Sequence, residues 1–230
     1  MMSPKDREAI EAAVREAEAR TRGEIYCVVA QAASDYREVV LAWAAGVALL
    51  APALLLAGGV QISAPDLTGG WTAAQVGDVA SRAARAALTG AILLQAALFL
   101  VTALVVALPP VRRALTPKAL KRHRVREKAQ EQFLSRNLRA TRERTGVLIF
   151  VAVDERMAEI VADEGIASAV GPEVWTRAMA ALVEGLKRGE PAAGFAAAVG
   201  LCGDVLAEHF PLRADNPDEL PDSLVELPRG

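Results

Sequence analysis

The sequence is poor in aromatic residues, at 4%, and has only two cysteines and two histidines among 230 residues. Cys27 and Cys202 form no CxxC pair, which removes the common zinc and dithiol motifs. They read as small apolar residues buried in a strand and a helix, and as free thiols they suit a reducing compartment. His123 falls among basic residues and reads as solvated or lipid-facing. His209 ends a helical pattern, where an imidazole suits the helix dipole. GxSxG, HExxH and Walker sequences are all missing, so orthodox serine-hydrolase, zinc-peptidase and P-loop chemistry have no foothold. The net charge of -2 gives no argument for nucleic acid. The one basic stretch lacks the interleaved aromatics that stack bases, so no nucleic-acid partner is expected.

What is abundant is aliphatic. Hydrophobic residues make up 53% of the chain. Two long stretches carry no charge: Val39 to Val60 (VVLAWAAGVALLAPALLLAGGV) and Leu88 to Leu108. About 20 apolar residues cross the hydrocarbon core of a bilayer, so residues 39–60 and 88–108 are expected to be two transmembrane helices. Pro52 would kink the first, which bilayer helices tolerate. Residues 61–87 form the linker, with turn formers and Trp71 at its start and a helical pattern from Thr72 onward.

Basic residues flank the spans unevenly. Arg112, Arg113, Lys118, Lys121, Arg122, Arg124, Arg126 and Lys128 meet a single acid, Glu127. The first 38 residues add six basic residues, whereas the linker has two, Arg82 and Arg85. The positive-inside rule then puts both termini in the cytoplasm. Arg112, Arg113, Lys118, Lys121 and Arg122 are candidates for contact with anionic lipid head groups; a purely topogenic role is the simpler alternative.

Two strand patterns lie on either side of this hairpin. Glu24–Ala30 (EIYCVVA) precedes it, and Gly146 leads a second apolar run to Val153. Asp154-Glu155-Arg156 breaks that run, and Met157–Ala162 resumes it, which reads as a β-hairpin. Strands need cover, so the halves 1–38 and 109–210 are expected to form one domain. An even number of spans allows this, because it returns the chain to the side it left.

Helices supply the cover. Ser3-Pro4-Lys5-Asp6 is a helix start, followed by Ile10, Ala13, Val14 and Ala17. Ser34 and Asp35 read as caps for the first span. Lys118 to Arg144 reads as one long helix with Val125, Ala129, Phe133 (or Gln132), Leu134 and Leu138 as its stripe. Val174, Ala178, Leu182 and Leu186 mark the next helix, ended by Gly189; Phe195, Val199, Cys202 and Leu206 mark the last. Residues 211–230, with four prolines and five acids, are expected to be a disordered acidic tail.

With these elements in place the chain resembles the TPM domain family. The Gly146-Val147-Leu148-Ile149 strand, the charged turn at Asp154-Glu155-Arg156 and the strand ending near Gly165 carry the resemblance. So does the Ala193-Gly194-Phe195-Ala196 helix entry. Two inserted spans and the ending Asp218-Glu219-Leu220-Pro221-Asp222 resemble its bacterial two-span membrane branch, hence the inner (cytoplasmic) membrane. The resemblance implies an α/β sandwich with a mixed sheet, here split by an inserted two-helix transmembrane hairpin. It also implies either an interaction or maintenance module for other membrane proteins, or a low-activity phosphatase dependent on a divalent cation, Ca²⁺ or Mg²⁺.

The residues that would serve a cation are carboxylates. If Glu24–Ala30 and Gly146–Val153 lie parallel, Asp35, Asp154 and Glu155 share one end of the sheet, the end expected to face the bilayer. Asp163 and Glu164 lie at the other, near Arg144, with Glu173 as a third acid. The same residues suit turns, caps and an ion pair with Arg142 or Arg144. No catalytic residue follows from the sequence.

Overall fold

The computed structural model describes residues 2–59, 73–135, 138, 144–212 and 223–228. It divides into two compact units, an α/β unit of residues 1–35 and 117–230 and a helical unit of residues 36–116.

The α/β unit begins with α1 (Pro4–Glu18). Ser3 caps it: its Oγ accepts from the Asp6 N–H, the Asp6 carboxylate accepts from the Ser3 N–H, and Pro4 takes the first helical position. Then come β1 (Glu24–Ala30), and beyond the helical unit α5 (Lys118–Ser135), β2 (Gly146–Ala152), β3 (Met157–Ala162), the short α6 (Glu164–Ala167), α7 (Pro172–Arg188), α8 (Pro191–His209) and β4 (Val225–Leu227). The sheet order is β3-β2-β1-β4. β1 and β2 pair in parallel from Glu24↔Gly146 to Ala30↔Ala152, and β3 is antiparallel to β2, so the sheet is mixed.

Both central strands are buried on both faces, as their unbroken apolar composition requires. Alternation divides their side chains. Ile25, Cys27, Val29, Val147, Ile149 and Val151 join the core under α1, α7 and α8. Tyr26, Val28, Ala30, Leu148, Phe150 and Ala152 join a second core under α5. Fully burying a side chain such as Phe150 or Phe195 is worth about 1.5–3 kcal/mol. α7 and α8 cross closely at Gly185 and Gly194. Gly189, at φ 76°, ends α7 in the left-handed conformation that glycine adopts without strain.

Two expectations need correction. The chain end is not a disordered tail throughout: Val225–Leu227 is a strand, parallel to β1 at Val28–Ala30. Leu224 is buried beside it, and Arg7 pairs with Glu226, so local apolar and charged contacts overcome the unfavourable composition. The acidic segment 218–222 lies outside the described residues. The helix after the basic flank is described from Lys118 to Ser135; residues 136, 137 and 139–143 of the helix expected to reach Arg144 lie outside the described residues. Leu134 leaves its predicted stripe and is 52% exposed, while Gln132 is buried with Phe133. Nine residues beyond Val125 at 100° each is half a turn away, so Leu134 must point opposite Val125.

The helical unit contains α2 (Arg37–Ala57), α3 (Ala73–Ala107) and α4 (Pro109–Leu115). Tyr36, at φ 50°, directly precedes α2, so neither Ser34 nor Asp35 occupies the position before the helix. Pro52 lies within α2. α3 is a single helix of 35 residues that includes the second half of the expected linker. α2 and α3 pack against each other. Leu49, Leu50 and Leu54 of α2, and Leu88, Ile92, Leu100 and Leu104 of α3, stay exposed. Among the described residues, three helical stretches are long and apolar enough to cross a membrane: Arg37–Leu55, Ser81–Ala107 and Pro191–His209. The last is α8, whose Phe195, Val199, Cys202 and Leu206 are fully buried in the α/β core.

Candidate functional site

The parallel pairing of β1 and β2 sorts the candidate carboxylates by sheet end. At the C-terminal ends of both strands the chain forms a hydrogen-bonded corner. The N–H of Val153 donates to Ala30 O and that of Asp154 to Gln31 O, each at 3.0 Å. Gln31 Nε2 donates to Asp154 Oδ1 at 3.0 Å, and the Ala33 N–H donates to Glu155 Oε1 at 3.2 Å. Gln31 N–H also donates to Leu227 O, so β4 ends at the same corner. Arg156, at φ 54°, closes the β2–β3 turn. Asp35 follows on the same loop, two residues past Ala33. Asp154 and Glu155 thus hold the 31–33 loop against the hairpin, which is turn chemistry.

The opposite end holds Asp163 and Glu164. The Asp163 N–H donates to Gly146 O and extends the β2–β3 pairing by one step. Its side chain then caps α6, with Oδ1 accepting from the Glu164 N–H at 2.7 Å. Glu164 points outward and pairs with Arg144 at 2.8 Å, the ion pair anticipated for Arg144; Arg142 lies outside the described residues. Glu173 is exposed in the first turn of α7. Asp163 itself is 3% exposed, and among the described residues its Oδ2 has no hydrogen-bond partner.

A groove of about 340 Å³ opens at this end. Gln130, Phe133 and Leu134 of α5 form one wall, and Val161, Ala162, Asp163 and Glu164 the other. The sequence marks Asp163 as a loop acid but does not bring α5 to it. The exposure of Leu134 and the groove itself arise only when α5 crosses β3.

Calcium takes six to eight oxygen ligands, and magnesium near-ideal octahedral geometry. Among the described residues no three His, Cys, Asp or Glu side chains are grouped to hold a metal ion. Oxygens of Asp154, Glu155 and Asp163 are already given to the fold, and one of Glu164 to Arg144. This donor set falls short of a hard-cation cage.

The basic residues occupy two helices. Arg112 and Arg113 are in the last turn of α4, where Thr116 Oγ1 donates to Arg112 O at 2.7 Å. Lys118, Lys121 and Arg122 share one face of α5 by their spacing. Further along, Arg124 pairs with Glu127 at 2.9 Å and Lys128 with Glu131 at 3.0 Å. Arg126 approaches Glu159 of β3 at 3.9 Å. Burial pushes the Glu159 carboxyl above its ordinary range, and Arg126 and Arg122 oppose that shift.

Comparison with known proteins agrees with this arrangement. Residues 112–205 match the family model of the TPM domain. No curated protein matches the chain. The NMR structure of BA42 protein from the psychrophilic bacterium Bizionia argentinensis is similar in fold. Its TM-score is 0.55 at 19% identity, over 98% of this chain and 95% of that one. Residues 112–205 thus match the TPM domain, and the mixed four-stranded sheet between α5 and the α1, α7, α8 layer is a fold shared with a solved structure.

Proposed function

We propose that this chain is a two-span protein of the bacterial inner membrane, whose cytoplasmic TPM domain acts as an interaction or maintenance module for other membrane proteins. The observation that carries this reading is the outward-facing leucine, isoleucine and valine surface of α2 and α3. Such a continuous apolar surface is unfavourable in water and favourable in lipid. At 35 residues α3 is about 50 Å long. That exceeds the hydrocarbon thickness, so its polar first part, with Arg82 and Arg85, extends past the bilayer on the side away from the termini. Arg112, Arg113, Lys118, Lys121 and Arg122 supply the positive-inside bias and contact anionic head groups.

The test is crosslinking in native membranes followed by purification in several mild detergents. Recovery of the same membrane protein partner each time supports the reading; recovery of the chain alone overturns the module role. Topology is checked separately, by labelling single cysteines in a Cys27→Ala/Cys202→Ala background. A cysteine at Ser3 should be protected in intact cells and one at Ser63 labelled. The cation-dependent phosphatase reading ranks second, because the carboxylates it needs serve turns and caps. Phosphate release that rises with Mg²⁺ or Ca²⁺ and is lost in Asp154→Asn or Asp163→Asn would reverse that order.

A further inference from the structure

The order β3-β2-β1-β4 leaves β3 with one neighbour, so it is an edge strand. Its antiparallel pairing with β2 fixes which backbone groups are used. The Asp163 N–H donates to Gly146 O, and the register continues as Leu148↔Val161, Phe150↔Glu159 and Ala152↔Met157. Alternate residues form the bonded pairs. The N–H and C=O groups of Ala158, Ile160 and Ala162 therefore point away from β2, and none has a hydrogen-bond partner among the described residues. The whole of β3 is partly exposed. Such a row is a template for another strand, and edges are ordinarily blunted by lysine, proline, a bulge or extreme shortness. β4, at the other edge, is three residues long and is followed by Pro228. β3 has none of these devices. Its one charge, Glu159, lies on the α5 face toward Arg126.

We propose that the β3 edge pairs antiparallel with the β3 edge of a second copy of this chain, about a two-fold axis at Ile160. Ala158 then faces Ala162 of the second copy and Ile160 faces Ile160, and each such pair exchanges both N–H···O bonds. The face formed by Ala158, Ile160 and Ala162 is small, large, small, and so is its own complement, as a two-fold interface requires. Charge selects the register, because like charges directly opposite each other destabilise a strand pair. An axis at Glu159 would set Glu159 against Glu159 and Asp154 against Glu164. An axis at Val161 would set Glu159 against Asp163. With the axis at Ile160, Glu159 faces Val161. Exposed Arg156, just before β3, then comes beside exposed Glu164, just past it, at both ends of the pair. Arg156 has no ion-pair partner among the described residues, and Glu164 pairs with Arg144 through one oxygen. This inference does not depend on the membrane-module reading.

The test uses the full chain, in native membranes and in detergent micelles. Ile160→Cys, in the Cys27→Ala/Cys202→Ala background, should form an intermolecular disulfide under mild oxidant. Facing residues of a bonded pair lie about 5.5 Å apart, within disulfide reach. Glu159→Cys meets its own copy only diagonally, at about 7–8 Å, and should crosslink at least about fivefold less. Light scattering in micelles should give a dimer for the parent and a monomer for Ala158→Pro, which removes an outward N–H and spares the ladder to β2. Parent-like hydrogen-exchange protection at Leu148 and Phe150 checks that this variant keeps its sheet. Arg156→Glu should raise the dimer dissociation constant several-fold, and adding Glu164→Lys should restore it. Any of four results overturns the proposal. These are a monomeric parent, equal crosslinking at Glu159→Cys and Ile160→Cys, a dimer retained in Ala158→Pro, or a loss in Arg156→Glu that is absent or not rescued by Glu164→Lys. Crosslinking of Ile160→Cys to a different protein in membranes would also overturn it, by assigning the edge to a partner's strand.

Discussion

Gly185 of α7 and Gly194 of α8 meet backbone to backbone: a methyl group built on Gly185 would overlap the Gly194 backbone. The reverse substitution is no better, since a Cβ on Gly194 would lie 2.8 Å from Leu182 O. Neither neighbour is a flexible side chain that can move aside. Gly194→Ala and Gly185→Ala should therefore separate the two helices and cost about 1–3 kcal/mol, the usual cost of overpacking. Gly200→Ala, on the same helix with open space around it, should be neutral or stabilising by up to about 1 kcal/mol. Thermal melts of the three variants in one detergent check the contrast.

The second prediction concerns β4. It adds only three residues to the sheet, but Leu224 is buried, its N–H donates to Glu11 Oε1 at 3.2 Å, and Gln31 donates to Leu227 O at 3.0 Å. Truncation after Leu212 should remove hydrogen-exchange protection at Gln31 and lower the melting temperature. Unchanged protection at Gln31 would mean that β4 contributes nothing to the corner of the sheet.

The third concerns Glu159. Its folded pKa is raised, chiefly by burial. The protonated form is thus favoured by the fold, and that contribution is present below the unfolded pKa and lost as pH rises through the folded one. Glu159→Gln should be more stable than the parent at pH 7. The difference should shrink as pH falls through the carboxyl range, about 4. Chemical melts at pH 7 and pH 4 test this; the opposite order would show that the Arg126 and Arg122 attraction outweighs desolvation.

The fourth concerns the thiols. Cys27 and Cys202 are buried in one core, and burial raises both pKa values, that of Cys202 to about 12. The native protein should not react with a thiolate-specific disulfide reagent at pH 8, whereas the denatured chain should release two equivalents of chromophore. Raised acid pKa values also mean that stability falls as pH rises from about 9 toward 12, where the unfolded thiols ionise first.

Much of this architecture is legible in the chain because it depends on local period. The capping box at Ser3, the unbroken Val147–Val151 run, the Asp154–Arg156 turn and the α8 stripe are each set by neighbours within a few residues. The burial of β1 and β2 on both faces also follows from their unbroken apolar runs, whereas their parallel direction, only supposed from the sequence, is supplied by the structure. Leu134 shows the limit: apolar character alone does not separate it from the stripe half a turn away, and the packing of α5 on β3 decides which side is buried.

The sequence by itself determined α1, β1 to β3, α7, α8 and the two long apolar helices, because each follows from hydropathy period and turn chemistry; the sorting of carboxylates to opposite sheet ends needed the parallel direction that the structure supplies. The tertiary structure alone decided the rest. It paired Val225–Leu227 with β1 although the tail's composition argues against order, because strand pairing is a long-range contact. It buried Asp163 beside Phe133 and Leu134, residues some 30 positions earlier in the chain. Whether a capping carboxylate is solvated or buried depends on what packs over it, and no local pattern specifies that.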